Sequence, residues 1–195
     1  MHRGASGIEF DVRRCGDGSL VVIHDETVDR TTGGRGRVRD LSYAELQQLD
    51  AGSGERIPLL TDVLDEFARR CLLNVELKDD GIALDVKKLV LERKLEGQVI
   101  VSAFDWDELR PLVPDLPTAL LSSHPENLVL AAIKRGAAAI HPRWDITTAS
   151  LVHATHEAKL RVHVWTVNDP AEISRFREME VDGVFTDFPD GLKVD

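Results

Sequence analysis

The chain has 195 residues, 43% of them hydrophobic and 30% charged, with a formal net charge of −10. That length is enough to bury a real core in one domain over residues 1–195. The acid excess, with no Lys/Arg-rich run, excludes nonspecific nucleic-acid binding, which rests on neutralising phosphates. Cys15 and Cys71 lack metal-ligand spacing and are too few for a disulfide framework, so both are expected as free thiols. No apolar run approaches the ~20 residues that span a bilayer. No basic-then-apolar leader precedes Met1-His2, so the expected location is the cytoplasm, without stable membrane insertion.

The first elements are two runs of strand composition, Ile8 to Arg14 and Leu20 to His24. They flank Gly16-Asp17-Gly18, and an Asp-Gly between β-branched runs signals a hairpin. Thr27 to Asp40 has no apolar period and reads as a loop. Ser42-Tyr43-Ala44-Glu45 has the spacing of a capping box and opens a short helix to about Leu49. Leu60, Val63, Leu64 and Phe67 recur at helical spacing.

A strand–helix rhythm then sets in. Strands are predicted over Cys71 to Leu77, Val99 to Phe104, Thr118 to Ser122, Ala137 to His141, Val162 to Val167 and Gly183 to Asp187. The intervening helices are Ile82 to Leu95, Trp106 to Leu112, Glu126 to Lys134, Thr148 to Ala158 and Asp169 to Met179. Such alternation implies right-handed crossovers and a parallel sheet. With the strand carrying Glu9 and Asp11 this makes seven, and Met1-His2-Arg3 resembles the end of an eighth. Polar residues fall at strand C-terminal ends, the rim on which a (β/α)8 barrel builds its active site. The predicted fold is therefore an α/β barrel of that type.

Glu9 and Asp11 are two apart, so on a strand both carboxylates point to one face. Folding the hairpin brings His24 back beside Asp11. Glu76 and Lys78 repeat the same spacing at another strand end. Three carboxylates at one mouth repel each other unless a cation sits among them, and an all-oxygen donor set suits Mg²⁺ or Ca²⁺ better than zinc. The plainer reading has Lys78 pairing with these acids. His2 and His24 are placed as a general acid/base pair about a phosphate, with Arg3 and Lys78 neutralising its oxygens. Two readings stay open for Trp165, which either walls a substrate cleft or packs in the core. His141 is likewise either a rim contact or a strand-end residue. His163, alternating with Val162 and Val164, reads as outward-facing.

Several segments together resemble the signature of the glycerophosphodiester phosphodiesterases. These are His2-Arg3-Gly4-Ala5-Ser6, Glu9-Phe10-Asp11-Val12, Val22-Ile23-His24-Asp25 and Thr27-Val28-Asp29-Arg30-Thr31-Thr32. Val75-Glu76-Leu77-Lys78, Trp165-Thr166-Val167-Asn168 and Thr186-Asp187-Phe188-Pro189 continue the pattern. The resemblance covers essentially the whole chain. It implies a TIM barrel hydrolysing glycerophosphodiesters to glycerol 3-phosphate and an alcohol with Mg²⁺ or Ca²⁺. It also implies His2 and His24 as acid/base residues and Glu9, Asp11 and Glu76 as metal ligands. Arg3 and Lys78 would hold the phosphate, and Trp165 would line the glycerol end.

The chain departs from that pattern in one place. The family carries a full first strand and then a first helix, roughly twenty residues between the Ser and the second strand, as a parallel crossover requires. Here Ser6 runs directly into Gly7-Ile8-Glu9. From His2 to Glu9 the chain spans at most ~25 Å, too short for that crossover. The barrel is expected to be truncated or open at this seam, which exposes two sheet edges and invites a homo-oligomer. A rival reading follows from the same gap, a catalytically impaired homologue that still binds metal or phosphodiester. A phospholipase acting on choline or inositol lipids is a third reading, disfavoured because no apolar docking loop is evident.

Overall fold

The computed structural model describes residues 4–124 and 127–191. His2 and Arg3, predicted as an acid/base residue and a phosphate ligand, lie outside the described residues. The chain forms one eight-stranded curled sheet in the order β2-β1-β3-β4-β5-β6-β7-β8. The strands are β1 (Gly7–Arg14), β2 (Leu20–Val22), β3 (Leu72–Leu77), β4 (Val99–Ala103), β5 (Thr118–Ser122), β6 (Ala139–Pro142), β7 (Arg161–Val164) and β8 (Gly183–Val184). Only β2 is antiparallel, folded back on β1 with Val12 opposite Val22. The other pairings are parallel, which accounts for the seven parallel strands expected.

Helices α1 (Tyr43–Leu46), α2 (Leu60–Phe67), α3 (Ala83–Glu92), α4 (Leu128–Arg135), α5 (Ala149–Glu157) and α6 (Pro170–Glu178) make the outer layer. Their ends follow local chemistry. Ser42 and Glu45 form the reciprocal capping box of α1. Thr148 and Asp169 cap α5 and α6 by accepting backbone N–H bonds. Gly136 ends α4 in the left-handed region at φ +67°, which costs a glycine little. One predicted helix is not there. Between β4 and β5 the segment forms only turns and a 3₁₀ turn at Arg110–Leu112. Pro111 and Pro114 remove backbone donors and restrict the residues before them, so an α-helix cannot propagate there.

The main core lies between sheet and helices, with Leu73, Val75, Val101, Leu120, Ile140, Val162, Val164 and Phe176 fully buried. A second, smaller core belongs to the excursion after β2. Cys15, Val21, Ile23, Val28, Val38, Leu46 and Ile57 pack together there. The stretch Thr27 to Asp40 is thus an anchored loop. Val28 and Val38 are its two buried pegs, fixed by Val28 N–H to Gly36 O (3.0 Å) and Val38 N–H to Glu26 O (2.9 Å). Cys15 and Cys71 are free, as expected.

Among the described residues β1 and β8 share no ladder, so the sheet is an open barrel. β1 makes its parallel ladder to β3 from Gly7 to Val12, while β2 covers its other edge only from Val12 to Arg14. Among the described residues the seam side of β1 from Gly7 to Phe10 therefore has no ladder partner. Gly7 begins β1 where a Cβ would come within 2.7 Å of the Leu72 carbonyl, so glycine allows this close entry beside β3.

Candidate active site

The register of β1 on β3 builds the site. Asp11 lies opposite Glu76, and Glu9 lies opposite Asn74. Side chains alternate along a strand, so Glu9, Asp11 and Glu76 share the inner face at its C-terminal end. One carboxylate oxygen from each lies within 4.8 Å of the other two. Lys78 enters the same space, its Nζ 2.6 Å from Glu76 Oε1 and 3.2 Å from Asp11 Oδ1. The pairing foreseen as the plainer reading does form, yet three carboxylates share one ammonium.

The electrostatics reflect that imbalance. Burial against the cleft wall, with Asp11, Glu76 and Asp187 adding repulsion, pushes the Glu9 carboxyl up to about 8. Glu9 nevertheless stands at the solvent-facing mouth, where water moderates the rise. Burial also pushes the Glu76 carboxyl up, although Lys78 opposes it. At Lys78 burial acts downward, but the carboxylates of Glu76 and Asp11 outweigh it and hold the ammonium above its usual range. An all-oxygen cluster in which ionisation is opposed fits a hard divalent cation.

His24 stands at the edge of this cluster, close enough to Glu76 for its charge to act on that carboxyl. Its ring is exposed, with Nδ1 2.8 Å from Asp25 Oδ1. Arg30 grips the same carboxylate with Nε and Nη2 at 2.6 and 2.9 Å and, with His24, holds Asp25 far below the usual carboxylate range. An ionised Asp25 can only accept, so the proton sits on Nδ1 and Nε2 is left as the working atom. Arg13 fixes the backbone beneath, donating to His24 O (3.0 Å) and to Asp79 Oδ1 (2.5 Å). The sequence reading assigned no role to an Asp25–Arg30 clamp. The adjacent His-Asp pair, with an Arg five residues on, was the available signal.

Trp165 directly follows β7 and is half-buried. Its Nε1–H donates to His141 O (2.7 Å), and Phe104 meets its ring edge-on at 5.5 Å between centroids. Phe104 in turn lies 6.0 Å from Lys78 Nζ, so an aromatic wall runs from Trp165 to the acid cluster. Asn168 locks the last rim loop, donating to Asp187 Oδ2 (2.8 Å) and accepting from Asp187 N–H (2.9 Å).

Below the mouth a cavity of about 520 Å³ opens through the seam, lined by Glu9, Leu72, Asn74, His141, His163 and Asp187 among others. His163 lines this cavity and contacts His141, Nδ1 to Nε2 at 3.0 Å, which corrects its outward-facing assignment. The alternation was right and the phase inverted: Val162 and Val164 are the outer pair, buried under the helices. His141 is fully buried and its pKa is driven well below the usual range by that burial. It is a strand-end residue inside the barrel.

The sequence pattern of the glycerophosphoryl diester phosphodiesterase family matches residues 1–191. A glycerophosphodiester phosphodiesterase of Caldanaerobacter subterraneus subsp. tengcongensis is 36% identical over 212 aligned positions, covering 98% of this chain and 86% of that protein. Since 98% of 195 residues is about 191, about 21 aligned positions have no counterpart here. That number is close to the roughly twenty residues by which the link between Ser6 and Gly7 is short of the family pattern. Among solved structures, glycerophosphodiester phosphodiesterase from Agrobacterium tumefaciens str. C58 superposes with a TM-score of 0.87 at 28% identity, covering 97% of this chain and 87% of that one. An Oleispira antarctica phosphodiesterase in complex with the product sn-glycerol-3-phosphate gives 0.83 at 26% identity, with 97% and 84% covered.

Proposed function

Because the chain belongs to the glycerophosphoryl diester phosphodiesterase family, we propose that it hydrolyses glycerophosphodiesters to glycerol 3-phosphate and an alcohol, with a divalent cation and His acid/base chemistry. The observation that carries this reading is the convergence of Glu9, Asp11 and Glu76, with Lys78 and His24 at their side.

In this reading Glu9, Asp11 and Glu76 hold Mg²⁺ or Ca²⁺. A cation there supplies Lewis-acid polarisation of the phosphoryl group. Lys78 neutralises a non-bridging oxygen, and its ammonium is already fixed by two carboxylates at hydrogen-bond range. His24 moves the proton at Nε2, with Nδ1 fixed by Asp25. Trp165 and Phe104 exclude water from one side of the cleft and give the glycerol carbons an apolar wall. His2 and Arg3 are assigned the partner acid/base role and a phosphate contact. The protein acts as one barrel unit over residues 1–195 in the cytoplasm. Among the described residues no helix is long and apolar enough to cross a membrane. The open seam between β1 and β8 joins a second copy through its unpaired edges.

The test is release of glycerol 3-phosphate from glycerophosphocholine and glycerophosphoethanolamine, with Mg²⁺, Ca²⁺ or a chelator. Turnover that the chelator abolishes and Glu9→Gln removes is expected. A folded protein that binds metal but turns over neither substrate would favour the impaired-homologue reading, which the shortened N-terminal region motivates.

A further inference from the structure

We propose that a second cavity, on the outer wall between β5 and α4, binds a small phosphomonoester carrying a flat aromatic body. The cavity has a volume of about 420 Å³, within the usual span for small-molecule pockets. It exists because the β4–β5 connection folds as a 3₁₀ turn at Arg110–Leu112 and leaves the outer layer thin there. Thr118, the first residue of β5, and Lys134 and Arg135, in the last turn of α4, line it. These mark the end of the barrel opposite the acid cluster, so the cavity is separate from the candidate active site.

Its chemistry is divided. Trp106, Leu109 and Leu120 provide an apolar floor, and the Trp106 ring is held by its Nε1–H bond to Leu121 O at 2.8 Å. Arg110, Lys134 and Arg135, with the single carboxylate of Asp107, also line the cavity. Arg135 is already engaged, ion-paired to Asp107 at 3.1 Å and stacked on Trp106 at 5.4 Å. Helix chemistry also accounts for part of the set, because cations favour the last turn of α4. It does not account for Arg110, which opens the 3₁₀ turn on the facing wall. Arg110 and Lys134 have no carboxylate partner among the described residues, in a chain whose net charge is −10. Two unpaired cations match the two negative charges of a phosphomonoester, and the apolar floor matches a ring rather than a sugar.

The experiment is isothermal titration with phenyl phosphate in the presence of a chelator. The proteins compared are the unaltered chain, the double variant Arg110→Ala/Lys134→Ala and His24→Ala. All three side chains are exposed, so their removal leaves the fold intact. The expected result is saturable binding that weakens about tenfold or more in the double variant, in line with the loss of charge-assisted hydrogen bonds. His24→Ala should bind phenyl phosphate as the unaltered chain does, and inorganic phosphate should bind more weakly than phenyl phosphate. Any of four results overturns the assignment: no binding, equal affinity in the double variant, loss in His24→Ala, or inorganic phosphate binding equally well. None of these readings depends on turnover.

Discussion

The two sides of the barrel mouth are built very differently. On the β1–β2–β3 side, each functional group is tied to a neighbour. Lys78 bridges Glu76 and Asp11, Arg30 holds Asp25 against His24, and Arg13 joins the His24 backbone to the end of β3. On the β8 side, Asp187 faces Glu9 of β1 charge to charge, and among the described residues no strand lies between β1 and β8. Geometry on the first side is overdetermined by continuous ladders and ion pairs. On the second it rests on a two-residue strand and one Asn168 latch. Half of the site can therefore be held in order without a closed barrel, because each strand pair is stabilised by its own register.

The largest expected effect breaks the ordered side at its chemical centre. His24→Ala should lower turnover by about 10²–10⁴-fold, the usual worth of a general acid/base residue, with an unchanged circular dichroism spectrum. Retained turnover would show that the ring is not the proton carrier. Next is Lys78→Met, which leaves Asp11 and Glu76 facing each other in a mostly buried space. Removing one partner of a buried pair costs about 3 kcal/mol. Urea unfolding without metal should show that loss, and saturating Mg²⁺ should recover part of it. An undiminished midpoint would mean that water already screens the pair.

The seam side should show itself in pH dependence. Burial and the neighbouring carboxylates push the Glu9 carboxyl from its ordinary 4.5 up toward about 8. Between those values the native form binds more protons than the unfolded chain, so this group makes the metal-free protein less stable as pH rises from about 4.5 to about 8. Glu9→Gln should flatten that part of a melting-temperature profile and abolish the thermal shift produced by metal. An unaltered slope would relocate the strain to Glu76. The smallest effect expected is association through the free strand edges, read by light scattering over a range of protein concentration. A monomer at every concentration would contradict it.

Much of this was legible from local chemistry. The two-residue alternation of Glu9 with Asp11 and of Glu76 with Lys78 predicted a shared face, and the parallel register of β1 on β3 delivered it. The Ser42–Glu45 box, the Thr148 and Asp169 caps and the Gly136 stop are signals within four residues of one another, so sequence carries them directly. Where several interactions compete, sequence misled. Trp106 to Leu112 has helical composition, but Pro111, with Pro114 just beyond, prevails. His163 has the right period, yet period alone does not say which face of a strand the helices cover.

The sequence by itself determined the order of strands and helices, the acids and bases available for chemistry, and the absence of a crossover between Ser6 and Gly7. These follow from periodicity, spacing and chain length, all properties of a line. Only the tertiary structure decided that Arg30 serves His24 through Asp25, that Phe104 packs edge-on against Trp165, and that His163 turns inward to His141. Those contacts join side chains whose proximity depends on sheet curvature and on which faces are buried. Curvature and burial are collective outcomes of packing the whole sheet against its helices.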